Sequence, residues 1–101
     1  MSDTIIPVGH RSAEDQIVMD AQERLDAFAR SRGYDGILSA CSYASSAVPQ
    51  FQAEGAYCVE ARDTTWAALA QIKADVVAGL RPVPTRLADI VAELPVLSWP
   101  A

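Results

Sequence analysis

The sequence predicts an all-α domain: a small helical bundle built on an antiparallel helical hairpin, with a short wedge helix and a C-terminal helix. Three observations predict it. Ile17, Ala21, Leu25 and Phe28 recur at spacings of four, four and three between a capping serine, Ser12, and a stop glycine, Gly33. A second stretch, from Pro49 to Ala78, contains no helix breaker except Gly55. No sustained apolar–polar alternation appears outside the first eleven positions. Residues 1–11 therefore read as an extended N-terminal arm, and 12–101 as a single helical domain.

In the arm, Ile5 and Ile6 precede Pro7, which biases the residue before it toward extended backbone. The first helix begins at Ser12, with Glu14 and Asp15 in the first turn, where carboxylates favour the positive end of the helix dipole. Asp20, Glu23, Arg24, Asp26 and Arg30 fall mainly off its apolar stripe, and Gly33 supplies a left-handed stop. Tyr34-Asp35-Gly36 is a turn, with Asp35 placed to cap a short second helix through Ile37, Leu38, Cys41 and Ala44. Its side chains are small (Ser39, Ala40, Ser42, Ala44), which lets backbones approach closely and suits a wedge between longer helices.

Ser45, Ser46 and Pro49 mark the next start, since proline is tolerated in a first helical turn. The helix they open would be ~45 Å long. Phe51, Cys58, Thr65, Leu69, Ile72 and Val76 share one face, widened by Val59, Trp66 and Val77. Gln50, Glu54, Glu60, Thr64, Gln71 and Asp75 occupy the opposite one. Arg62 and Lys73 fall within or beside the apolar sector, so each is expected to pair with a carboxylate of the first helix or to reach an edge. Arg81-Pro82-Val83-Pro84 is a rigid connector, followed by a short helix through Leu87, Ile90, Val91 and Leu94 that Pro95 ends. The tail beyond is apolar and carries Trp99.

With 101 residues, the chain is one domain's worth, and 8 Lys+Arg against 13 Asp+Glu give a net charge of −5. The acidic balance and the dispersed basic residues argue against nucleic-acid binding, which draws its affinity from neutralised phosphates. No run approaches the ~18–20 apolar residues that span a bilayer, and the N-terminus lacks the basic region of a signal peptide. A protein made in a cytoplasm and independent of membranes is expected. Cys41 and Cys58 read either as one disulfide or as two buried thiols, and with one histidine they fall short of a structural zinc site.

Catalysis by a nucleophile needs a base within reach of it. His10, in the arm, is the only imidazole, and both cysteines sit on expected core faces. Ser39 and Ser42 lack a glycine-flanked elbow, and Gly33 and Gly36 follow a helix without a Walker lysine. The expectation is a protein that is not an enzyme and has no catalytic residue, cofactor or metal. Trp66 reads as core, whereas Trp99 either packs back on the bundle or anchors a partner, tryptophan being enriched at interface hot spots. Ile5, Ile6, Leu97 and Trp99 are the candidate partner-binding residues, and an uncovered apolar face of the long helix would be a surface for a partner or for a second copy of the chain.

The segments from Ala29 to Ala44, Pro49 to Gly55, Glu60 to Trp66 and Gly79 to Pro84, with Glu93-Leu94-Pro95, carry a resemblance spanning about residues 12–100. Together they resemble a small helical domain of tailed-phage and prophage proteins, similar to the C-terminal part of some tail-fibre assembly proteins. The resemblance implies a structural or accessory part of a phage tail that binds a tail-fibre or baseplate component. It would reside in the virion tail, or in the host cytoplasm during assembly. A transient tail-fibre assembly chaperone is the alternative, and a small acidic inhibitor of a host enzyme ranks below both.

Overall fold

A computed structural model describes residues 12–101; the expected arm, with Ile5, Ile6 and His10, lies outside the described residues. Three α-helices, α1 (Ala13–Arg30), α2 (Ile37–Cys41) and α3 (Pro49–Val77), form the domain, and among the described residues there is no strand. The fold is all-α, as the sequence predicts.

Each long helix starts and stops where its local chemistry dictates. The Ser12 hydroxyl accepts from the Asp15 N–H at 3.1 Å, satisfying a donor that the first turn leaves free. At the other end Gly33 takes φ +88°, and Tyr34 N–H returns to the Ala29 carbonyl. α3 opens with Pro49 in its first turn and ends at Gly79, φ +75°, where Leu80 N–H reaches the Asp75 carbonyl at 2.8 Å.

The two long helices run antiparallel. Glu14 pairs with Lys73, Ile17 clusters with Ile72, Leu25 with Cys58, and Arg32 meets Glu54, so contacts descend α3 as they ascend α1. Ile17, Ala21, Leu25 and Ala29 are the buried stripe of α1, while Phe28 is half-buried. Ala29 rather than Phe28 completes the stripe because Phe28 leans toward Tyr57 and Trp99.

α2 is the wedge, continued by a 3-10 turn over Ser42–Ser45. The capping expectation for Asp35 is corrected. Gly36 is the N-cap, and the Ile37 N–H is taken by Asp26 of α1 at 2.9 Å. A Cβ at Gly36 would come within 3.0 Å of that carboxylate, so the glycine makes room for its own helix's cap.

Gly55 has a similar purpose. A Cβ there would fall 2.5 Å from the Tyr43 carbonyl carbon and overlap the Ala44 backbone. The only helix breaker in α3 is therefore the point where the wedge's backbone touches it.

The expected C-terminal α-helix is two 3-10 turns, Leu87–Asp89 and Val91–Glu93, separated by Ile90 at φ −129°. The Asp89 carboxylate takes both the N–H and the hydroxyl of Thr85, a side-chain bonding pattern that competes with an α-helix. Ile90 nevertheless points inward and is 2% exposed.

Candidate functional site

Two apolar clusters lie along the hairpin. The first holds Leu25, Ala29, Ile37, Ala40 and Cys58, around which Phe28, Tyr34, Trp66, Leu97 and Trp99 are packed. The second, at the opposite end, is Ile17, Ile72 and Ile90 with Leu69 and Leu87 beside them.

A groove of about 330 Å³ opens over the second cluster. Ile17 and Val18 of α1 form one wall, and Trp66, Leu69, Ile72, Val76 and Val77 of α3 form its floor and second wall. Val83, Pro84 and Ile90 close the third side. That third side is held by charge: Arg81 donates two bonds to the Glu93 carboxylate, at 2.7 and 2.8 Å, a fork geometry that fixes the connector. Val77 and Val83 are 80% and 68% exposed at the lip. The one ion pair in the lining is Lys73 with Glu14, 2.8 Å apart, and that hydrogen bond holds the Lys73 ammonium above its ordinary range. Lys73 thus meets a carboxylate of the first helix, as expected, while Arg62 is half-buried and has no ion pair among the described residues.

At the α2 end the polar chemistry is buried. Glu54, expected on the solvent face, is 4% exposed. It pairs with Arg32, accepts from Tyr34 Oη at 2.8 Å, and accepts a longer bond from Gln50. Burial pushes its carboxyl pKa upward, but the bonds from Tyr34 and Gln50 and the Arg32 guanidinium outweigh that and hold it below the usual range. Tyr34 is pushed up to about 12, by burial first and by Glu54 second. Phe51, expected in the core, is 41% exposed and meets Tyr43 edge-on.

Leu97 and Trp99, two of the four expected partner-binding residues, are half-buried against the first cluster. Trp99 stacks on Phe28 with ring centres 4.1 Å apart, lies under the Arg32 guanidinium at 5.1 Å, and donates to Ser31 Oγ. The structure brings these two residues together on one surface; Ile5 and Ile6 lie outside the described residues.

Both cysteines are free thiols. Burial pushes Cys58 up to about 11 and raises Cys41 as well, so both are protonated at neutral pH. Among the described residues no cluster of His, Cys, Asp or Glu could hold a metal ion, and no helix is long and apolar enough to cross a membrane.

Sequence reasoning allowed for an uncovered face on the long helix but did not locate the groove, because its residues come from three segments. The available signal was the run of large apolar residues flanking Gly79: Val76, Val77, Leu80 and Val83.

The fold and groove define a small helical-hairpin domain with an apolar recess at one end. No family model, curated protein or solved structure matches the chain.

Proposed function

We propose that this chain is a non-enzymatic protein-interaction domain whose groove holds a hydrophobic segment of another protein. The observation that carries the reading is the recess over Ile17, Ile72 and Ile90, with the valines at its lip turned to solvent. Concave apolar surfaces with few polar groups are where small ligands and apolar side chains gain most from leaving water. A tail-fibre or baseplate protein is the candidate partner, and it comes from the sequence resemblance alone.

Val77→Asp and Val83→Asp test the reading, because both positions are exposed enough to accept a charge without disturbing the core. Each is expected to weaken binding to the purified fibre or baseplate protein by about tenfold or more, the loss of one apolar anchor. Affinity unchanged in both variants, with the circular dichroism intact, would remove the groove from the interface.

A further inference from the structure

The C-terminal segment lies across α1 and α3 as a bound peptide would. Pro95, Leu97 and Trp99 turn toward the body, while Val96 and Ser98 face solvent, Val96 being 84% exposed. That period of two is how an extended chain presents alternate side chains to a surface. Its backbone is read by side chains. Arg24 Nη2 donates to the Pro95 carbonyl at 2.8 Å. A single hydroxyl, Tyr57 Oη, donates to the Val96 carbonyl at 3.1 Å and accepts the Ser98 N–H at 3.0 Å. Such contacts demand a backbone and not a particular sequence. The sequence is read separately: Leu97 packs on the first cluster, and the Trp99 indole meets a stacking face, a guanidinium and an acceptor for its N–H.

Among the described residues, no backbone–backbone hydrogen bond joins this segment to a helix. Its departure would break no secondary structure. It would leave behind a surface already equipped with a donor pair, an aromatic face and a cation.

We propose that this surface is a recognition site for an extended segment with an aliphatic residue and a tryptophan two positions apart. The chain's own tail occupies it at rest, and a partner protein's segment of the same chemistry displaces that tail. The site is distinct from the groove over Ile17, Ile72 and Ile90, so either can fail without the other.

The test uses the full chain carrying Leu97→Ala and Trp99→Ala, which takes the two anchoring side chains out of the site, and a synthetic peptide spanning residues 94–101. Calorimetric titration is expected to show saturable binding with a Kd of about 1 mM or tighter, matching the millimolar effective concentration of a short tether. The same two alanines placed in the peptide should abolish binding. Tyr57→Phe in the chain should weaken it about fivefold, as loss of one bridging hydroxyl would. A second measurement needs no substitution: in the ¹⁵N-labelled wild-type chain, excess unlabelled peptide should move the Trp99 indole N–H resonance to its free position. No binding to the folded variant at about 10 mM peptide, well above the effective concentration of the tether, would overturn the proposal. If the variant does not fold, an unmoved Trp99 resonance in the wild-type chain overturns it by itself.

Discussion

The two ends of the α1–α3 hairpin are closed in different ways. At the α2 end a wedge fills the space, a glycine lets its backbone touch α3, and a buried carboxylate ties α3 to the chain beyond α1. At the other end α1 and α3 meet through isoleucines, and only a 3-10 segment leans on them. The first arrangement leaves Leu25, Ile37 and Cys58 fully buried; the second leaves an open recess. The difference shows what a short helix contributes to so small a domain. Where α2 lies, α3 is covered at Gly55 and Cys58; where it is absent, the apolar side chains of α3 remain available to something else.

The largest expected effect comes from breaking the polar clasp. Glu54→Ala should lower stability by about 3 kcal/mol, since it removes the buried partner of Arg32 and Tyr34. Urea unfolding measures the loss, and hydrogen exchange should speed up in α2 more than around Ile72. The clasp also sets pH limits. The Glu54 carboxyl has a lowered pKa when folded, so its contribution is complete above the ordinary glutamate value of about 4.3 and is lost as pH falls through the folded value. Tyr34 works the other way: with its folded value near 12, its contribution is complete below about 10 and is lost as pH rises toward 12. Thermal melts across both ranges should show a sloping Tm at each end, and Glu54→Gln should flatten the acidic slope.

Gly55→Ala sharpens the comparison by setting propensity against packing. In a solvated helix the change would stabilise by about 1 kcal/mol. Here the new methyl meets backbone that cannot step aside, so a net loss of about 2 kcal/mol is expected in the same urea experiment.

Thr65 tests the stretch between the two ends. It is fully buried, and its hydroxyl has no hydrogen-bond partner among the described residues. Thr65→Val should therefore stabilise by about 1 kcal/mol. The smallest effect belongs to the open end: Lys73→Ala removes a solvent-exposed ion pair and should leave the urea midpoint unchanged.

Much of this was legible in the residues. Ser12, Gly33, Pro49 and Gly79 set the limits of both long helices, because caps, stops and proline act within a turn or two of themselves. The small residues of α2 announced a close approach, and Gly55 supplies its other half. Glu54 was misplaced because a carboxylate was assigned to the wet face by its charge, although the helical period sets it in line with Ala61, Thr65 and Ile72 on the buried one. Arg32 and Tyr34, which make its burial affordable, come from beyond the stop of another helix. Asp26 took the capping position expected of Asp35 for the same kind of reason, reaching α2 from α1. Of the candidate contacts, Leu97 and Trp99 were legible as apolar side chains near the end of the sequence, but not as partners of the first cluster, with Trp99 on Phe28, Arg32 and Ser31.

The sequence by itself determined that this protein is helical, where its long helices begin and end, and that a small-residue segment separates them. Those features follow from propensity, periodicity and capping, which operate over a few residues. The tertiary structure alone decided which groups satisfy the buried Glu54, where the tail lies and which part of α3 stays uncovered. Those outcomes depend on side chains brought together from distant positions, and no local pattern records which of them will meet.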